Sequence, residues 1–131
     1  MKIMVAYDDT NVSREAAAVA AKHAKAFGAE VHLVTSIGGG AKVPRQTFDL
    51  AERELNRIRE KIFEPEGIPC KIHVLFRGLT PGEDLVRFAG EKQIDELVMG
   101  VKRRSKVGKL LFGSTAQFVI LRSPCPVLAV K

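Results

Sequence analysis

The fold is decided by residues 1–28, MKIMVAYDDTNVSREAAAVAAKHAKAFG. Residues 1–7 form a short and nearly continuous apolar run, which is typical of a strand covered by helices on both faces. A polar cluster follows at residues 8–11, and apolar residues then recur at helical spacing as far as Phe27, before Gly28 supplies a C-terminal stop. The stretch therefore predicts a strand, a loop and a helix, the first unit of an α/β sheet.

The same alternation continues to the end of the chain. Further strands are predicted at residues 31–35, 71–76, 97–99 and 127–130. Further helices are predicted from about Pro44 to Phe63, after Thr80 and from Ser114. Five strands separated in turn by four helices argue for one domain, residues 1–131, in which helices cover both faces of an open parallel sheet.

Two of these helices begin at recognisable capping sequences. At Thr80 a capping hydroxyl is followed by proline at the first helical position and by glutamate at the third. The run Ser114-Thr115-Ala116-Gln117 also has the form of a capping box. We therefore expect Thr80 to cap the third helix and Ser114 the fourth.

Composition excludes several broad classes. No stretch approaches the roughly 20 consecutive apolar residues of a membrane helix, and the amino end enters a strand pattern instead of a signal peptide, so a cytoplasmic protein is expected. Cys70 and Cys125 lack the short spacings of zinc or redox motifs. His23, His32 and His73 have no i, i+4 pairing. We therefore expect reduced structural cysteines and no metal site.

The net charge of +6 is concentrated at the carboxyl end. From Leu97 onward there are seven basic residues and no acidic one, which leaves the first 96 residues one unit negative. This asymmetry indicates an anionic ligand near the last quarter of the chain.

Ligands of an open parallel sheet bind beyond the carboxyl ends of the strands. Four segments follow predicted strands: Tyr7 to Thr10, Thr35 to Ile37, Arg77 with Gly78, and Gly100 to Thr115. The last combines glycines, a helix amino terminus and nearby cations, all of which favour bound anions. It is the strongest candidate for a phosphate site.

Three polar residues have both a structural and a functional explanation. Ser114 could cap its own helix or contact a phosphate oxygen, and position alone favours neither. Asp8 could accept hydrogen bonds from ribose hydroxyls, or it could hold a turn by bonding the amides of Thr10 or Asn11, which position alone favours. Ser36 is ambiguous in the same way.

A resemblance to a known family rests on motifs distributed along the whole chain. The motifs are Val5 to Asp8, Gly78 to Glu83, Ile94 to Gly100, Met99 to Arg103, Leu111 to Ser114, and Pro124 to Val130. In content and order they resemble the universal stress protein family, and the final third is the most specific part. The resemblance implies a sheet with strand order 3-2-1-4-5, which is Rossmann-like.

Family members that bind ATP carry a glycine, two residues, a second glycine, nine residues, and then glycine followed by serine or threonine. Gly100, Gly113 and Ser114 match this motif in type and spacing, whereas Arg103 occupies the second glycine position. A side chain there hinders positive φ and could crowd the phosphates, although a guanidinium could also bind them.

The resemblance also implies a set of binding residues for ATP or a related adenine nucleotide, with magnesium as a possible companion ion. Ala6, Tyr7 and Asp8 would border the adenosine, Ser36 would face the base, Met99 and Gly100 would form the floor, and Arg103, Gly113, Ser114 and Thr115 would lie at the phosphates. The family commonly dimerises through the last strand, here Val127 to Val130. With the implied strand order, Cys70 and Cys125 would lie at opposite edges, about 19 Å apart and too far for a disulfide.

The resemblance therefore implies a universal stress protein, a regulatory module that responds to ATP or a related adenine nucleotide and acts as a homodimer. The alternative is a protein of the same fold that has lost ATP binding and acts through protein partners, with Arg103 as the mark of the loss. Nucleic-acid binding by the basic loop is disfavoured because no aromatic residue lies among its cations. An enzyme is disfavoured because the chain lacks phosphate-loop and dinucleotide-turn motifs and a placed base.

Overall fold

A computed structural model of the protein describes residues 1–38, 42–102 and 113–131. The strands are β1 (Lys2–Ala6), β2 (Glu30–Ser36), β3 (Cys70–Leu75), β4 (Glu96–Gly100) and β5 (Val127–Val130). The helices are α1 (Asn11–Phe27), α2 (Arg45–Ile58), α3 (Pro81–Glu91) and α4 (Ser114–Arg122), and α2 continues into a π-helical turn (Arg59–Phe63) and a 3-10 turn (Glu64–Glu66). The predicted alternation of strands and helices is confirmed.

All the strand pairs are parallel, and the order across the sheet is β3-β2-β1-β4-β5. This is the α/β class predicted from the sequence and the order that the family resemblance implied. The central strand β1 is covered on both faces, since Ile3, Met4 and Val5 have no exposed surface. Such burial explains why its sequence is continuously apolar rather than alternating.

Each face of the sheet has its own core. Helices α1 and α2 cover one face, where the alanines of α1 and Leu55 and Ile58 of α2 pack on Ile3 and Val5. Helices α3 and α4 cover the other face, and the residues of its core include Leu85, Phe88, Ala116 and Val119, with Met4, Val34 and Leu97. Because helices lie on both faces, the free ends of the strands are the open part of the sheet.

Helix α1 begins and ends at recognisable caps. Thr10 accepts a hydrogen bond from the Ser13 amide at 3.2 Å, and the Ser13 hydroxyl accepts one from the Thr10 amide at 3.0 Å. Gly28 takes the left-handed conformation at the other end, as predicted. Phe27 is the exception to the predicted buried stripe, because 62% of it is exposed, and its ring packs edge-on against His23.

The prediction that Ser114 caps α4 was wrong. Gly113 is the N-cap, with the extended φ of −65° and ψ of 165°, and Ser114 is already the first helical residue. The N-cap is the residue that precedes the helix, so Ser114, as the first helical residue, lies one position too late for that role. By contrast, Thr80 caps α3 as predicted, accepting from the Glu83 amide at 3.4 Å.

Both cysteines are free, as expected, with Cys70 on edge strand β3 and Cys125 before the opposite edge strand β5. Burial raises the pKa of the Cys70 thiol to about 12. Within the described ranges, no helix is long and apolar enough to cross a membrane.

A cleft at the carboxyl end of the sheet

The candidate site is a cleft between the ends of β1 and β4. The strand order reverses direction at this point, because the chain proceeds from β1 to one edge and from β4 to the other. Open α/β sheets bind their ligands at such a switch point. The cleft has two halves that share Asp8, Met99, Gly100 and Thr115. We call them the Ser36 half and the Ser114 half, after one residue that belongs to each alone.

The Ser36 half is a space of about 250 Å³ with mainly apolar walls. Its lining includes Ala6, Val34, Pro81, Leu85 and Met99. Polar groups lie at its ends, with Ser36 at the end of β2 and Asp8 after β1. Apolar walls with a few polar groups are typical of a site for a flat, partly polar ring.

The Ser114 half, about 240 Å³, is lined by the start of α4 and by Lys102. The first backbone hydrogen bond of α4 runs from the Gln117 amide to the Gly113 carbonyl at 3.0 Å, so the amides of the three preceding residues have no partner within the helix. No side chain caps this end among the residues that the structure describes. As far as the described part of the chain shows, the helix therefore presents donors without partners, and the positive end of its dipole, at the cleft.

Gly100 allows the two sides of the cleft to meet. A Cβ atom at this residue would lie 2.5 Å from the carbonyl carbon of Val12 and 2.9 Å from the Ser13 nitrogen. These atoms belong to the backbone of α1, so a flexible side chain could not move away to make room. Glycine is required here because the first turn of α1 packs directly on the end of β4.

Asp8 forms the turn that its position favoured. One carboxylate oxygen, Oδ1, accepts from the Thr10 hydroxyl at 2.6 Å and from the Thr10 amide at 3.3 Å. The next residue, Asp9, is held at a φ of 60°, a left-handed conformation that Asp tolerates better than most residues. The other carboxylate oxygen of Asp8 has no protein partner among the described residues, so the turn and a ligand contact are compatible.

Tyr7 lies at the cleft, but its side chain packs on the face of the sheet that α1 and α2 cover. It belongs to the core beneath α1 and α2, and its hydroxyl donates to Glu54 of α2 at 2.9 Å. Burial, together with this bond, raises the pKa of Tyr7 to about 12. The hydrogen bonds from Arg57 are the main reason that the pKa of Glu54 falls to about 2. Tyr7 therefore contributes to the frame of the cleft more than to its chemistry.

Sequence reasoning missed a buried carboxylate behind Ser36. Asp84 of α3 has no exposed surface, and it accepts from the Ser36 hydroxyl at 3.0 Å and from Arg77 Nε at 2.6 Å. Arg77, predicted as a candidate only because it follows β3, also binds Glu91 at 2.6 Å. The sequence signal that could have found this network was an acidic residue on the buried face of α3.

Two of the three histidines, His32 and His73, meet across neighbouring strands, whereas His23 of α1 contacts Glu96. His32 Nδ1 and His73 Nε2 lie 2.9 Å apart on neighbouring strands, and the rings stack with centroids 5.1 Å apart. His32 Nε2 also contacts Glu30 at 3.0 Å. Burial is the main cause that lowers the pKa of His73 to about 4. Within the described residues no group of three potential ligands could hold a metal ion.

The described residues of the predicted site lie around one cleft: Ala6, Tyr7, Asp8, Ser36, Met99, Gly100, Gly113, Ser114 and Thr115. Sequence reasoning missed Val34, Pro81 and Leu85 as lining residues of the Ser36 half, because Val34 and Leu85 read as core and Pro81 as part of a helix start. Arg103 lies outside the described residues. The role of each residue in binding stays a prediction.

The fold and the cleft define an open α/β protein with a cleft at its switch point. The universal stress protein family model matches residues 1–131, and the chain belongs to that family.

Individual relatives agree with this assignment. A universal stress protein of Thermus aquaticus is 32% identical over 98% of this chain and 97% of its own length. A structure of a universal stress protein from Archaeoglobus fulgidus superposes with a TM-score of 0.88 at 32% identity, over 100% of this chain and 93% of that one. Another structure from that organism, in complex with dAMP, has a TM-score of 0.86 at 31% identity and covers 100% and 98%.

Proposed function

We propose that this protein is a regulatory module of the stress response that binds ATP or a related adenine nucleotide in the cleft. The observation that carries the proposal is the start of α4, which lines the Ser114 half and has no side-chain cap among the described residues. That arrangement suits phosphate groups. The dAMP bound by the Archaeoglobus fulgidus relative supports an adenine nucleotide as the ligand class.

The two halves of the cleft suit the two parts of a nucleotide. The apolar walls of the Ser36 half would hold the base, and the free carboxylate oxygen of Asp8 would accept from ribose hydroxyls. The phosphates would extend into the Ser114 half, where Lys102 adds a positive charge. Magnesium would enter with the phosphates, since no protein site for it is present among the described residues.

Calorimetric titration tests this proposal. We expect ATP with magnesium to bind, and adenosine to bind more weakly because it lacks the phosphates. Absence of heat and of any thermal shift at millimolar nucleotide would contradict nucleotide binding. Small molecules extracted from the purified protein and identified by mass would show which nucleotide it carries.

We further propose that two copies pair through β5. This strand lies at the sheet edge, and the carbonyls of Pro126 and Val130 accept from β4, so the backbone groups of Val127 and Ala129 point to the open side. Ala129→Pro removes an outward amide without touching the β4 ladder. It is expected to yield monomers by light scattering, and dimers of unchanged affinity would contradict pairing through β5.

We propose that the module acts in the cytoplasm and without chemical turnover. None of the described residues around the cleft forms the pair of base and orienting partner that a dedicated hydrolase needs. A single-turnover assay with labelled ATP tests this proposal. Product formed at a rate above that of a denatured control would contradict it.

The second candidate function is a stress protein that acts through protein partners without ATP. The observation that favours it is Arg103, which replaces a glycine of the family's ATP motif. Arg103→Gly separates the two functions. A gain of ATP affinity would identify the native arginine as a block, and a loss would identify it as a phosphate ligand.

A further inference from the structure

The hydroxyl of Ser36 lies between the cleft and a buried ion pair. Asp84, from the first turn of α3, accepts from the Ser36 hydroxyl on Oδ2 at 3.0 Å and from Arg77 Nε on Oδ1 at 2.6 Å. Arg77 also donates from Nη2 to the Asp84 carbonyl at 3.2 Å. Both carboxylate oxygens of a completely buried side chain are thus occupied.

The direction of the hydrogen bond between Ser36 and Asp84 follows from its chemistry. An ionised carboxylate accepts hydrogen bonds and cannot donate them, and the guanidinium of Arg77 keeps Asp84 next to a positive charge. The only hydroxyl proton of Ser36 must therefore point to Asp84. What the hydroxyl can offer the cleft is lone pairs alone, so a ligand group that contacts it has to be a donor.

We propose that Asp84 is a positioning residue that makes Ser36 an acceptor-only contact, so that the cleft selects a purine with an amino group at position 6 over one with a carbonyl there. The inference rests on the proposed function, since it assumes a nucleotide base in the Ser36 half. Two residues of the wall, Pro81 and Leu85, belong to the same helix as Asp84, so one helix positions both Asp84 and the wall of the base site.

The contacts behind the pair hold this polarity in place. Arg77 binds Glu91 at 2.6 Å on its outer side, where the Glu91 carboxylate is half exposed. The Asp84 amide donates to the Thr80 carbonyl at 2.9 Å, which anchors the residue in the first turns of α3. Ser36 itself ends a strand that pairs on both sides. The position of the Ser36 hydroxyl therefore depends on β2, on α3 and on Arg77, which follows β3.

The test compares three triphosphates that share ribose and phosphates and differ at position 6 of the base: ATP with an amino group, purine riboside triphosphate with hydrogen, and ITP with a carbonyl. Calorimetry on the full chain is expected to give affinities in that order. A lost hydrogen bond or an unpaired acceptor costs about 1–3 kcal/mol, so ATP should bind about 5- to 150-fold more tightly than ITP.

Three variants locate the origin of the ratio. Ser36→Ala is expected to bring it close to one. Asp84→Asn should do the same or reverse it, because the amide can donate to Ser36 and release the hydroxyl proton toward the ligand. Arg87→Gln, an exposed change on the same helix that lies outside the network and outside the lining of the cleft, is the control and should leave the ratio unchanged.

The outcomes separate this inference from the function on which it rests. If none of the triphosphates binds the natural protein, the proposed function fails and the inference fails with it. If all bind but the ratio is the same in the natural protein and in Ser36→Ala, only the inference is overturned. Should Asp84→Asn not fold, the Ser36→Ala result decides alone, because that change leaves Asp84 and Arg77 paired.

Discussion

Helices α1 and α4 both begin at the cleft, yet the two starts are built differently. Thr10 and Ser13 form a reciprocal capping box at α1, where each side chain occupies a backbone amide. At α4 the preceding residue is Gly113, which has no side chain to offer, and no described side chain takes that place. Side chains of the protein cap the first helix start, whereas the second has no cap among the described residues, so its amides can bind a ligand.

The difference separates structural from binding roles within one cleft. The backbone of α1 packs on Gly100 and fixes the floor, so its satisfied amides add rigidity. The start of α4 carries the dipole and amides, and no side chain among residues 1–38, 42–102 and 113–131 caps them. A capped start supports the site, and an uncapped one is suited to bind an anion. The predictions below test this comparison, from the largest expected effect to the smallest.

The largest effect is expected from Gly100→Ala, which breaks the contact that holds α1 against β4. Its Cβ would lie 2.5 Å from the Val12 carbonyl carbon, so the backbone of α1 has to move. Overpacking of this kind costs about 3 kcal/mol, measured as the free energy of unfolding in urea.

Gly90→Ala in α3 is the matched control for this change. A Cβ there meets nothing within 4 Å, and alanine favours a helix over glycine. We expect a gain of about 0.5–1 kcal/mol in the control. Equal losses in the two variants would show that close packing at Gly100 is not the cause.

Gly113→Asp is expected to close the start of α4 as that of α1 is closed. Its carboxylate would accept from the amides of the first turn and would repel phosphate. ATP affinity should fall about tenfold while adenosine affinity is retained, as measured by calorimetry. Unchanged ATP affinity would contradict a phosphate role for the uncapped end.

Thr10→Ala is expected to open the start of α1 with the opposite result. Loss of the cap should lower the free energy of unfolding by about 1 kcal/mol. The ratio of ATP to adenosine affinity should stay the same, because the amides of α4 are intact. A change in this ratio as large as that in Gly113→Asp would remove the distinction between the two helix starts.

A change of pH is expected to have the smallest effect on the difference between the two helix starts. Burial lowers the pKa of His73 to about 4 in the folded protein, whereas in the unfolded chain its pKa is about 6.5. Between these two pH values the unfolded chain binds a proton that the folded protein does not. Stability should therefore decrease as the pH falls from about 6.5 toward 4. The loss caused by Thr10→Ala should not change in this range, because a neutral hydroxyl makes the cap.

His73→Gln provides the control for the pH series. Removal of the titrating ring should flatten the decrease in unfolding free energy between pH 7 and pH 5. A decrease as steep as in the natural protein would assign it to other groups. The unfolding free energies of the helix-cap variants are best compared at pH 7.5, where His73 is neutral in the folded protein and largely neutral in the unfolded chain.

Much of the site was predictable because strand ends are visible in the sequence. Apolar runs located β1 and β4, and their carboxyl ends converge in any parallel sheet, which placed Asp8 and Gly100 at one cleft. The cap of α4 was predicted one residue late, since serine after glycine gives the same local signal whether it precedes the helix or begins it. Local patterns locate an element but do not fix its first residue.

By itself the sequence determined the order of the elements, the class of the sheet, the family and the concentration of charge, because periodic burial and turn residues are local properties of the chain. Tertiary structure alone decided which distant side chains meet. Ser36 and Asp84 are separated by 48 residues and His32 and His73 by 41. Their contacts depend on strand register and helix packing, which no single segment encodes.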